Sequence, residues 1–185
     1  MKKLVVMLLL FFSAVGAQSA DNQRDLSSQE TFKILGIELG KDTINDLKKI
    51  SKEKNCQLEK NEGDSYSMKG CFDLPGNYWI KYSFDQKTGK IFSILFRLDY
   101  DAFDSGPDST MQRYLEALKK RYGEPSSVDY FKTFSTWVWA FPNLTIEAID
   151  RFGFQPLHHF DIEYVSPIVT KMMEEREVNK ISSQM

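Results

Sequence analysis

The stretch DSTMQRYLEALKKRYGEP, residues 108–125, decides how the rest of the chain is read. Met111, Leu115, Leu118 and Tyr122 recur at intervals of four, three and four residues, so they share one face of an α-helix and leave the charged residues on the other. Asp108 or Ser109 is suited to cap its start, and Lys119, Lys120 and Arg121 complement the negative end of the helix dipole. Gly123 supplies the left-handed closing position and Pro125 blocks continuation. The helix carries no chemistry of its own. It divides two groups of segments in which aromatic and polar residues alternate.

Upstream, the spacing predicts strands over 66–72, 78–84 and 91–100. Tyr78, Ile80, Tyr82 and Phe84 alternate with Trp79, Lys81 and Ser83, the period of a strand with one buried face. Downstream, 130–141, 144–150 and 160–165 read as strands, with Pro142-Asn143 as the turn between the first two. A second helix is expected over 43–54, with Asp42 or Thr43 as cap and Asp46 in a capping-box relation to Thr43. A short apolar segment, 32–39, precedes it. Ser166-Pro167 opens a tail helix over 168–178 that docks Ile168, Met172 and Val169.

The order is therefore helix and three strands, twice, with the two helices starting sixty-six residues apart. The expected class is α+β, two-layer, with helices on one side of a mainly antiparallel sheet, and a tandem helix-plus-three-strand repeat is compatible with the spacing. Residues 31–178 form one domain, which the repeat would divide into 31–104 and 105–165 followed by the tail helix; 179–185 is a frayed end.

The chain opens with Met1-Lys2-Lys3, an apolar run over 4–12 and then small residues to Ala20, the pattern of a secretory signal peptide over 1–20. Residues 21–30 form a polar lead-in. The expected location is periplasmic or secreted, and no later apolar run is long enough to span a membrane. In an oxidising compartment Cys56 and Cys71 are expected to form a disulfide. The formal net charge of −2 comes without a basic block, which argues against a nucleic-acid partner.

The segments GIELGKDTINDL, 36–47, and KKRYGEP, 119–125, together with the order of helix, hairpin and further strand, make the chain resemble the exported β-lactamase-inhibitor-protein-like and BamE-like group of small α+β domains. The resemblance implies a protein that acts by holding other proteins, as an inhibitor or as a component of an assembly machine. The chain departs from the BamE-like lipoproteins in having no cysteine just after its apolar run, where an acyl anchor would attach.

His158 and His159 are the only histidines. On a strand, His159, Asp161 and Glu163 point to one face and make a candidate metal set, with a solvated strand as the plainer reading. No nucleophile elbow, phosphate loop or dinucleotide fingerprint occurs, so no catalytic residue and no cofactor is assigned. The composition points instead to aromatic surface, with fourteen Phe, eight Tyr and three Trp. Trp137, Trp139, Trp79 and Tyr130 are the candidate partner-binding residues, because a sheet covered on one side exposes its other face. If the helices cover Val138, Trp137 and Trp139 stand on the uncovered face; the opposite assignment puts both in the core. The function expected from this reading is a non-enzymatic protein-binding module for another envelope or extracellular protein. The alternatives are a small envelope hydrolase using carboxylates and a carrier of an apolar or metal ligand.

Overall fold

A computed structural model of the protein describes residues 33–70, 72, 77–101, 109–151 and 157–182. The expected leader, the lead-in and Cys71 lie outside these residues, and with Cys71 so does the expected Cys56–Cys71 bond. Cys56 itself is half-buried.

The first elements are two short strands, β1 (Lys33–Ile34) and β2 (Ile37–Glu38), paired antiparallel. Leu35 and Gly36 join them with φ of 53° and 88°, the two positive values that a tight hairpin turn requires. Helix α1 (Ile44–Glu53) follows. Its cap, Thr43, donates its backbone N–H and its hydroxyl to Asp46 Oδ2 at 2.9 and 2.8 Å, so the spacing read from the sequence is realised as a reciprocal cap.

Four strands come next: β3 (Gln57–Lys60), β4 (Ser65–Lys69), β5 (Asn77–Phe84) and β6 (Ile91–Asp101). Helix α2 (Thr110–Tyr122) is the central helix of the sequence reading, and Ser109 Oγ accepts from the Gln112 N–H at its start. At its end Gly123 has φ 83°, and its N–H donates to the Lys119 carbonyl. Four further strands, β7 (Ser127–Tyr130), β8 (Phe134–Phe141), β9 (Leu144–Arg151) and β10 (Leu157–Val165), lead to helix α3 (Pro167–Ser182).

Strands β3 to β10 make one antiparallel sheet of eight, in the order β3-β4-β5-β6-β10-β9-β8-β7. The protein is thus α+β. Two strands differ from the sequence reading. Residues 130–141 are not one strand, because the Phe131 N–H donates to the Phe134 carbonyl at 2.8 Å and closes a turn over Lys132 and Thr133, leaving β7 and β8 as a hairpin. Strand β3 occupies a segment to which the sequence reading assigns no element.

Alternation sorts the sheet residues into two faces. The register places Tyr66, Tyr82, Ile94, Tyr164 and Ile146 in one row, and Met68, Ile80, Phe96, Ile162 and Ala148 in the next. This is the first face. Lys48 of α1 lies over the Tyr66 ring, Tyr114 of α2 packs on Phe96, and Tyr122 packs on Tyr164. Leu47, Leu115, Leu118 and Tyr122 join these sheet residues in one hydrophobic core cluster.

Trp137 lies opposite Ala148 and Trp139 opposite Ile146, so both belong to the first face. They are 7 % and 1 % exposed, and Trp139 donates its indole N–H to the Gly123 carbonyl at 2.8 Å. The expectation that they stand on an uncovered face is corrected: it is Val138, half-buried, that points the other way. The tail helix is corrected in the same sense. Val169 is buried, whereas Ile168 and Met172 are exposed. Val169 approaches so close to Gly40 that a Cβ there would sit 3.3 Å from its methyl and 3.2 Å from Ser166 Oγ.

Trp139→Ala should therefore lower unfolding stability by about 3–5 kcal/mol in a denaturant titration, from the cavity and the lost indole hydrogen bond together.

Candidate functional site

The second face of the sheet consists of the alternate positions. In one row Lys81 lies opposite Leu95, Leu95 opposite Glu163 and Glu163 opposite Glu147. In the next, Trp79 lies opposite Arg97, Arg97 opposite Asp161 and Asp161 opposite Ile149. A third row has Asp99, His159 and Arg151.

Where β6 meets β10 these rows are closed by polar contacts. Arg97 donates to Asp161 twice, Nε to Oδ1 at 2.6 Å and Nη2 to Oδ2 at 2.7 Å, the parallel geometry that suits a guanidinium and a carboxylate. Arg151 Nε stands 3.5 Å from the same Oδ2. Asp161 is only 4 % exposed, because the two arginines and its strand neighbours enclose it. Hydrogen bonding to Asp161 holds the Arg97 guanidinium above its ordinary value, against the opposite effect of burial. The Arg97 guanidinium carbon also lies 5.1 Å from the centre of the Trp79 ring, a cation–π distance. His159 Nδ1 is 2.7 Å from Asp99 Oδ1, and the Ser93 hydroxyl donates to Glu163 at 2.6 Å.

His159, Asp161 and Glu163 do share one face, as the alternation predicts. Each is held by a different cross-strand partner, Asp99, Arg97 or Ser93, and among the described residues no group of three donors converges on a metal position. Trp79 is half-buried on this face. Tyr130 lies at the outer edge, 76 % exposed, with its ring edge-on to Trp137 at 6.3 Å. The four aromatic candidates therefore separate into two core residues, one on the second face and one on the edge strand.

Arg97 and Asp150 escaped the sequence reading. The alternation of β6 already carries Arg97 away from Phe96, but its partner is named only by strand order. Asp150 belongs to the first face near one end of the sheet, opposite Phe160 and Ser135, and accepts from the Tyr100 hydroxyl. Burial pushes its carboxyl above the ordinary value of 3.8, against the opposing pulls of that hydroxyl and of His158.

At the opposite end a cleft of about 490 Å³ opens between α3 and the turns before β6 and β9. Leu39, Leu144, Ile168 and Met172 give it apolar walls, and Lys41 and Lys90 are among its polar ones. Arg176 of α3 donates to Asp85 at 2.7 Å beside it.

No family model and no curated protein matches the chain. Among solved structures it is similar to a DUF4309 family protein (YjgB) from Bacillus subtilis, with 14 % identity, 71 % of this chain and 86 % of that chain covered, and a TM-score of 0.40.

The raised Asp150 value has a definite sign in stability. Its contribution is fully present below the unfolded value near 3.8 and is lost as pH rises through the higher folded value. Asp150→Asn, which keeps an acceptor for Tyr100 without the charge, should therefore gain stability relative to the parent as pH rises from about 4 to about 7, read from melting curves across that range.

Proposed function

We propose that this protein is a non-enzymatic binding module that works in the periplasm or outside the cell and holds another protein against the second face of its sheet. On this reading the molecule has two layers, α1 and α2 forming one layer over the first face. Each of these helices, with the strands that follow it, is one copy of a tandem repeat. The single observation that carries the reading is the row of Trp79, Arg97 and Asp161. An amphipathic ring lies half-buried beside a guanidinium that a bidentate carboxylate holds in one orientation. Around it the half-buried apolar side chains Leu95, Ile149 and Val138 alternate with charges. That mixture, with Trp and Arg at its centre, is the composition of protein-binding surfaces. The resemblance of 36–47 and 119–125 to exported inhibitor and assembly domains, and the leader-like opening of the chain, support the same reading.

A hydrolase is the second reading, favoured by Asp150, whose buried carboxyl beside Tyr100 has the raised affinity for a proton that a general acid needs. On that reading an activity would be lost in Asp150→Asn with the fold intact.

The experiment is capture of a partner from envelope extract with the purified protein, followed by an affinity measurement on the identified pair. Trp79→Ala should leave unfolding stability within about 1 kcal/mol and weaken the complex about thirtyfold, the loss of a central aromatic anchor. Undiminished affinity in Trp79→Ala would remove the second face from the interaction.

A further inference from the structure

Lys81 and Glu147 occupy mirror-related places on the second face. Each is one strand out from the β6–β10 pair, in the row that runs Lys81, Leu95, Glu163, Glu147. Neither makes an ion pair among the described residues. Glu147 is worse than unpaired: directly across from it stands Glu163, and its other cross-strand neighbour is Val138. Like charges opposite one another on a sheet repel, and this carboxylate has no cation in its own row on β10 or β8 to relieve it.

The next row repeats the mirror relation. Trp79 and Ile149, both half-buried and apolar, are each one strand out from the central Arg97–Asp161 pair. A rotation of 180° about an axis lying in the face along the β6–β10 junction exchanges the two flanks. It brings Lys81 onto Glu147, Leu95 onto Glu163, Trp79 onto Ile149 and Arg97 onto Asp161.

We infer that the occupant of this face in the free protein is a second copy of the chain, packed face to face about that two-fold axis. The inference rests on the reading of the second face as a protein-binding surface and adds what covers it when no other protein does. A closed two-fold interface must be complementary to itself, so every contact has to work when read in both directions. Here a cation meets the one carboxylate that lacks a partner and faces another carboxylate, twice over. Apolar meets apolar at Trp79 and Ile149, also twice. On the axis Asp161 stays enclosed by Arg97 and Arg151 of its own copy, and Leu95 of one copy covers Glu163 of the other, whose carboxylate the Ser93 hydroxyl already holds. Two sheets stacked in this way keep their strands nearly aligned, the common arrangement for sheets packed on one another. Self-association would thus withhold the face from its partner, and the partner would have to displace the second copy.

The test is analytical ultracentrifugation of the purified protein, with circular dichroism as the check on folding. The wild-type chain should form a dimer that weakens with added salt. Lys81→Glu alone and Glu147→Lys alone should each raise the dissociation constant at least about tenfold, because each places like charges together at both symmetry-related contacts. An equimolar mixture of the two single variants should recover the dimer as a heterodimer, since one copy then carries two acids and the other two bases at the facing positions. The chain carrying both reversals should dimerise within about threefold of wild type. A wild-type chain that stays monomeric to about 100 µM would overturn the inference, as would single variants that dimerise like wild type or a mixture that does not recover. Because the partner experiment scores Trp79→Ala against an identified protein, a monomeric wild type leaves that result to stand or fall separately.

Discussion

The pairing of β6 with β10 is the constraint on which the rest of this structure depends. It runs over nine residue pairs, from Asp101 opposite Leu157 to Ser93 opposite Val165, and it is where the strands before α2 join the strands after it. The two groups of four share one hydrophobic cluster across this junction. Joined, they bury Ile94, Leu98, Ile146 and Phe160 in one cluster with both helices. A slip of one residue at this junction would exchange the faces of one whole half, sending Phe160 and Ile162 outward and Asp161 into the core. Arg97 and Asp161 oppose such a slip, since their two parallel hydrogen bonds form only when these residues stand directly opposite.

From that one register the division of labour between the faces follows. The first face takes the large apolar side chains and the indole of Trp139, whose N–H finds the carbonyl left free at the end of α2. The second face keeps Trp79 and the charges, and it holds Arg97, Asp161, His159, Asp99 and Glu163 in cross-strand contacts that fix their orientation. Desolvating such pairs is costly in a core. At a partly exposed face it is cheaper, and oriented charges there discriminate between partners.

The helices were legible in the sequence because their signals are local. Thr43 with Asp46, Ser109 with Gly123, and the spacing of Leu115, Leu118 and Tyr122 each act within a few residues, and the structure keeps all of them. The hairpin β5–β6 was legible for the same reason. Strand β3 was not: Gln57 to Lys60 forms an edge with little apolar content, and only pairing to β4 makes it a strand. The turn between β7 and β8 was hidden because Phe131, Lys132, Thr133 and Phe134 include none of the residues that usually mark turns. For the site, alternation alone correctly put His159, Asp161 and Glu163 on one side. It could not say which side, and so it placed Trp137 and Trp139 outside. Parity within a strand is local, whereas the choice of face is set by which neighbour the strand acquires sixty residues away, as β10 does with β6.

The most direct test of this account is the register of the central junction, read from cross-strand nuclear Overhauser effects between backbone protons of β6 and β10 in the isotopically labelled protein. Contacts should connect Arg97 with Asp161, and the neighbouring pairs Leu95 with Glu163 and Asp99 with His159, in a single antiparallel series. A series displaced by one residue, with Arg97 opposite Phe160 or Ile162, would contradict it, because Trp79 and Asp161 would then lie on opposite faces of the sheet.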